Sequence, residues 1–406
     1  MYCTVTKIIV PHANYAYSLY NSIGSFAESI GAYMNRRYNQ GKSIVWVKPN
    51  GVCWLACVYF LFSITGNLSA QQAKQIVFIG DSIKNKEHFF ISEVHGIYES
   101  PYFEYAAITY FNEVHHTSNI ILETGASGAY LCNRYMRNGD TTLLKYFAQS
   151  ARTYLVMLKK YNDLPGTVDK LNFYGIDFEA ISSFVPAVQL ILNNSTGNKA
   201  VSTELYKFIN GLPDTTYLLG RYPEKLAERT KIYNEAKRMF GNEETSLEGM
   251  LKPEDFSVLK RIFENPSSEK HFQKRDKRML VNLNRQGNLK NERFVCILGG
   301  HHLNADSKKS FLNKYLRAEP RSNNALITTV CKNCYAAIRY RRNYHYDVVG
   351  PENITGNDSV MSLAYNRYFA SGKYSLINQY EFKNAGVDAN PSIDVYYMFF
   401  RDQPEQ

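Results

Sequence analysis

The chain lacks any apolar run long enough to cross a membrane: the stretch 52–64 falls short of the ~20 residues that a span requires. It is also poor in cysteine, with seven in 406 residues, and Cys3, Cys53 and Cys57 lie near the N-terminus. Cys331 and Cys334 form the one C-x-x-C pair, so a zinc site would be two ligands short. The pair has no strand–helix context of the thioredoxin kind. In an oxidising compartment it would close a small local disulfide. No nucleic-acid module is present, and the formal charge of +10 is diffuse. Residues 1–70 hold Lys7, Arg36, Arg37, Lys42 and Lys48 against Glu28, leaving +4 there and +6 on the remainder. Arg339, Arg341 and Arg342 are the one tight cluster. This is a solubility feature and argues against a nucleic-acid partner. No internal repeat and no low-complexity tract stand out.

What is present at the N-terminus reads as an export signal. Arg36, Arg37, Lys42 and Lys48 form a basic region, 52–64 an apolar region, and Asn67-Leu68-Ser69-Ala70 a small-residue exit before Gln71. Cys57 lies inside the apolar run, which disfavours a lipid anchor. Residues 1–33 are unusual in front of a signal, and Met34 is the expected true start. The expectation is an extension and signal over 1–70, followed by a single exported domain over 71–406. That domain has no stable membrane span and is periplasmic or extracellular in a bacterium.

Short runs rich in β-branched and aromatic residues predict strands at 75–79, 88–92, 119–122, 171–176, 294–298 and 325–330, with closing strands at 374–377 and 393–400. Helical periodicity covers 101–116, 141–161, 180–192 and 272–285. This alternation predicts an α/β fold with a mostly parallel central sheet and helices on both faces. The segment 195–266 carries helical periodicity without strand signal and reads as a helical insertion.

Each central strand ends in a chemically active residue. The first ends at Glu93-Val94-His95-Gly96, the second at Glu123-Thr124-Gly125, the third at Asp177-Phe178-Glu179 and the fourth at Gly299-Gly300-His301-His302. In open α/β sheets, ligand sites form beyond the carboxyl ends of the strands. Four polar endings on one edge point to an active site, and the paired glycines let backbone approach a ligand closely. His88, His115, His116, His271 and His345 lack such neighbours and are assigned structural or surface roles, with His115 and His116 as cations on a helix C-terminus.

These endings belong to a longer pattern. Ser92-Glu93-Val94-His95-Gly96, Glu123, the element Asn133-Arg134-Tyr135-Met136-Arg137-Asn138-Gly139-Asp140, Tyr174-Gly175-Ile176-Asp177, Arg275-Asp276-Lys277-Arg278-Met279 and Gly299-Gly300-His301-His302 span most of 88–306. The chain resembles the erythromycin esterase-like family, within the wider group that includes haem-iron-binding ChaN-like and TraB-type proteins. It departs from the family pattern in three places. The first motif is Glu-x-His, one residue shorter. Gly299 stands where the family's H-N-x-H strand ending has its first histidine. Glu104 stands near where members carry an arginine.

The resemblance implies an esterase acting on a small-molecule ester or lactone without a cofactor. His95 would be the general base, with Glu93 or Glu123 orienting its imidazole. His302, helped by His301, would protonate the leaving alkoxide or stabilise the oxyanion. Arg134, Asp177, Arg275 and Asp276 would bind substrate or support the site. A second expectation is a divalent-metal or haem-iron protein, or a metal-dependent peptidase, using His95, His302, Glu93 and Asp177 as ligands. A third is a non-catalytic binding protein that keeps the cleft.

Overall fold

The computed structural model describes residues 76–79, 82–93, 100–167, 169–194, 203–221, 223–266, 272–305, 307–320, 323–332, 334–340, 343–349, 374–378 and 394–401. Residues 1–70 with Met34 and the export signal, His95, His271 and the side chains of Cys331, Cys334 and His345 lie outside the described set.

The strands are β1 (Ile76–Ile79), β2 (His88–Glu93), β3 (Asn119–Leu122), β4 (Asn172–Gly175), β5 (Phe294–Gly299), β6 (Asn324–Lys332), β7 (Cys334–Tyr340), β8 (Asn343–Val349), β9 (Tyr374–Asn378) and β10 (Asp394–Arg401). The helices are α1 (Ser100–His115), α2 (Ala126–Asn138), α3 (Gln149–Asn162), α4 (Ile181–Asn193), α5 (Glu204–Asn210), α6 (Leu226–Met250), α7 (Pro253–Glu264), α8 (Phe272–Asn284) and α9 (Phe311–Ala318). Eight strands form one sheet in the order β1-β9-β10-β6-β2-β5-β3-β4. Every neighbouring pair in it is parallel except β9 with β10. The fold is therefore the expected α/β type.

The central strands read as continuous apolar runs because both sheet faces are covered. Successive side chains point to opposite faces, and the buried residues divide accordingly. Phe89, Ile91, Ile120, Leu122, Val295, Ile297, Ala325 and Ile327 join one core with residues of α1 to α7. Phe90, Ile121, Cys296, Leu298 and Leu326 join a second core with Met279 and Leu283 of α8 and Phe311, Leu312 and Tyr315 of α9. The helical region between α4 and α8 is continuous with the first core. Tyr233 of α6 packs 5.0 Å from Phe184 of α4, and Phe240 stacks 4.6 Å from Phe263 of α7.

Four features depart from the sequence expectation. The helix predicted over 141–161 is split into a 3₁₀ segment, Thr141–Tyr146, and α3. Asp140 caps the first piece by accepting from the Thr142 N–H at 3.0 Å, and Phe147 is extended. Helix α2, read only as a motif, ends at Gly139, whose φ of 70° is the left-handed conformation that favours glycine. Strands β7 and β8 form an antiparallel hairpin that the sequence did not suggest. The expectation that His115 is a cation is also overturned. It is buried against Phe89, Tyr110 and Phe111, and burial, followed by the charges of Arg293 and His116, pushes its pKa down to about 4. The residue that follows the helix, His116, takes a φ of 53°.

Candidate active site

Parallel register brings the polar endings side by side. Glu93 is paired with Gly299, Leu122 with Ile297 on one side and with Gly175 on the other. The loops beyond these residues are bonded to one another. The Gly300 N–H donates to the Glu93 carbonyl at 3.0 Å and the Asp177 N–H to the Thr124 carbonyl at 2.9 Å. The Gly299 N–H donates to Glu123 Oε2 at 2.6 Å. At Gly175 the approach is so close that a Cβ would stand 2.1 Å from the Gly125 carbonyl oxygen, so this position requires glycine.

Helix α8 adds the next layer. Arg275 Nε donates to Asp177 Oδ1 at 2.8 Å, while its Nη2 donates to Asp177 Oδ2 and, at 2.7 Å, to Glu123 Oε1. The guanidinium also lies 5.0 Å from the Phe178 ring. It bridges two strand endings, β3 and β4, and fixes both carboxylates. The neighbouring Asp276 is bonded through Oδ1 to His302 Nδ1. The other ring nitrogen, Nε2, lies 3.5 Å from Glu123 Oε1, the outer limit of a hydrogen bond. Lys314 of α9 approaches Asp276 at 3.9 Å.

The electrostatics follow from this geometry. Burial alone would lower the pKa of His302, but hydrogen bonds and charge from Asp276 and Glu123 outweigh it and hold the imidazole up to about 9. His302 is therefore an imidazolium at neutral pH. Arg275 is likewise held above its ordinary range: burial opposes the charge, and Asp177 and Glu123 more than offset it.

Of the residues singled out in the sequence, Glu93, Glu123, Asp177, Arg275, Asp276 and His302 lie on this rim, and His301 is exposed beside them. Arg134 stands in α2 beside Tyr130, within electrostatic reach of Asp255 and Asp140, and among the described residues no contact joins it to the rim. Its neighbour Asn133 makes reciprocal 2.8 Å bonds with the backbone of Phe173 on the edge strand β4. With Gly139 ending α2 and Asp140 capping the next turn, the 133–140 element reads as architecture.

The sequence marked Glu179 only as part of a strand ending and did not reveal the buried polar layer built around it. Glu179 accepts from the backbone N–H groups of Ala126 at 2.8 Å and Ser127 at 3.1 Å, and from the Ser127 hydroxyl, so it caps α2 from a distant segment. Asn265 and Asn282 complete the layer. The available signal was the pair Gly125-Ala126 opening a helix without a local capping side chain.

The donor set also bears on the metal expectation. A divalent cation or haem iron needs a deprotonated imidazole and available carboxylate oxygens. Here both Asp177 oxygens are bonded to Arg275, and His302 is protonated between two carboxylates. As bonded here, Asp177 and His302 do not fit such a group, and the expected ligand His95 lies outside the described residues. Among the described residues no set of three or more His, Cys, Asp or Glu is arranged to hold a metal ion.

No family model and no curated protein matches the chain. Solved structures do resemble it. A protein from Bacillus cereus superposes with a TM-score of 0.52 at 13% identity, covering 83% of this chain and 97% of that one. An erythromycin esterase variant in its open conformation gives 0.47 at 12% identity, covering 70% and 80%. A haem-binding ChaN of Campylobacter jejuni gives 0.28 at 12%, covering 66% and 89%. At such identities the likeness is one of fold, and the chain has the α/β fold of the Bacillus cereus protein.

Proposed function

We propose that this chain is an exported hydrolase that cleaves an ester or lactone by attack of water on the carbonyl. The observation that carries the reading is the Asp276–His302–Glu123 array at the carboxyl edge of the sheet, braced by Arg275. A buried carboxylate on Nδ1 sets the orientation of an imidazole and stabilises its charged form, as in triad chemistry.

The charge state supports a donor's role for His302. An imidazolium with a pKa of about 9 is poorly suited to accept a proton at neutral pH and well suited to donate one. Its Nε2–H would stabilise the developing oxyanion and then protonate the leaving alkoxide as the carbonyl carbon–oxygen bond breaks. Glu123, with Oε1 between Arg275 and His302 and Oε2 on the Gly299 N–H, is an orienting group and not a nucleophile. The proton of the attacking water goes to a separate base, and His95, two residues beyond Glu93 in the sequence, is the residue proposed for it. The substrate is a small molecule, and the signal-like pattern of basic, apolar and small residues before Gln71 supports export.

A hydrolysis screen of full-length protein against alkyl, aryl and lactone esters tests the reading. His95→Ala is expected to lower the rate by ~10²–10⁴-fold. An inactive wild type, or a His95→Ala variant as fast as wild type, would overturn the mechanism.

A further inference from the structure

Asn265 is the first residue beyond α7, at the end of the helical region, yet its side chain lies under the rim. It is buried, with 3% of its surface exposed, and its carboxamide makes three hydrogen bonds to two segments, the loop beyond β4 and helix α8. The carboxamide nitrogen donates to the Asp177 carbonyl oxygen and, at 2.9 Å, to Glu179 Oε1. Its oxygen accepts from Asn282 Nδ2 of α8 at 2.9 Å, and that same nitrogen donates to the Ile176 carbonyl at 2.8 Å. Backbone bonds continue the connection, from the Glu179 N–H to the Pro266 carbonyl at 3.0 Å. On the far side, the Tyr233 hydroxyl of α6 donates to the Asn265 carbonyl.

We propose that Asn265 is a positioning residue for the active site, fixing the exit of β4 so that Asp177 presents both carboxylate oxygens to Arg275. The peptide units around Asp177 are gripped from two directions. Its N–H is held by the Thr124 carbonyl, one residue past Glu123, and its C=O by Asn265. Asp177 then sets Arg275, Arg275 sets Glu123, and Glu123 faces His302. The helical region thus acts on the rim through a neutral carboxamide.

A carboxamide is what this position requires. It must donate twice, to a carbonyl and a carboxylate, while accepting once from Asn282. Aspartate has the same shape and could still accept from Asn282, but it cannot donate when ionised and would face the Glu179 carboxylate. Alanine removes all three bonds and leaves the Asp177 carbonyl buried without this donor.

As a claim about catalysis this rests on the hydrolase reading; as a claim about the ion cluster it does not. The test compares full-length wild type with Asn265→Asp and Asn265→Ala. The first readout is the ¹⁵N–¹H signal of the Arg275 Nε–H, assigned by its loss in Arg275→Lys. The second is kcat and KM on an ester that the wild type hydrolyses. The expected result is loss or displacement of the Arg275 signal, with kcat lower by ~10–10²-fold and KM nearly unchanged. Variants that fold with an unaltered Arg275 signal overturn the proposal, leaving Asn265 a purely structural residue. Should both fail to fold, Asn282→Ala carries the test, since it removes the donor that holds the Asn265 carboxamide oxygen, together with that donor's bond to the Ile176 carbonyl; an unaltered signal there also overturns the proposal. The spectrum needs no substrate, so an inactive wild type refutes the hydrolase reading alone.

Discussion

The two edges of the sheet treat histidine in opposite ways. At the amino edge, His88 stacks 4.2 Å from Phe294 and bonds to the Tyr315 hydroxyl at 2.9 Å and Asn324 Oδ1 at 3.3 Å, all neutral groups. Burial lowers its pKa, as it does that of the nearby aromatic-packed His115. At the carboxyl edge, His302 is as buried as His115, at 2% exposure, yet its pKa stands at about 9. Burial opposes charge in all three. The difference is the company: two carboxylates meet His302, whereas aromatic rings and neutral hydrogen-bonding groups dominate the surroundings of the others. Burial alone therefore does not mark a working histidine; burial with converging carboxylates does.

The contrast can be broken in several ways, beginning with the largest effect. His302→Gln keeps a donor for Asp276 but cannot release a proton, so ester hydrolysis is expected to fall by ~10²–10⁴-fold. Activity equal to wild type would end the case for this edge as the chemical one. Arg275→Met leaves the buried Asp177 without its cation and is expected to cost ~3–5 kcal/mol, read from urea unfolding. A loss below ~1 kcal/mol would mean that the bridge is solvent-screened, as exposed pairs are.

The pH dependence sharpens the comparison further. Folded protein keeps the His302 proton up to about pH 9, whereas the unfolded chain releases it near its ordinary value of 6.5. Stability from this histidine is therefore complete below pH 6.5 and is lost as pH rises through about 9, by on the order of 3 kcal/mol. Urea midpoints across that window should fall in wild type and flatten in His302→Gln. His115 has the opposite sign. Its folded pKa of about 4 means that the unfolded chain takes up a proton first, so stability declines as pH falls from 6.5 towards 4. His115→Leu should flatten that acid limb, while changing stability at pH 7 by less than ~1.5 kcal/mol. Unchanged acid sensitivity would place the titrating group elsewhere.

Much of this organisation was legible in the chain itself. All eight strands of the sheet were located to within a residue or two, because runs such as Phe89-Phe90-Ile91 and Val295-Cys296-Ile297-Leu298 are apolar on both alternating faces. The rim was legible as four polar strand endings. Its bonding was not, because Arg275 reaches Asp177 across 98 positions and Glu123 across 152, and Asp276 reaches His302 across 26. Helix α2 was missed because its N-terminus is capped by Glu179, a residue 53 positions away from Ala126, so no local capping signal precedes it. The hairpin of β7 and β8 was not anticipated because no Asn-Gly or Asp-Gly dipeptide stands between its two strands to mark a tight turn in the sequence.

By itself the sequence determined the period of the strands, the polar residues that end them and the parallel order that puts those ends on one edge. These depend on local hydrophobic pattern and on the crossover geometry of alternating strands and helices. Only the tertiary structure decided which histidine is charged, which carboxylate is spent on Arg275, and which asparagine braces the rim. Charge state and hydrogen-bond partnership depend on distances of a few ångströms between residues remote in the chain, and no local pattern encodes them.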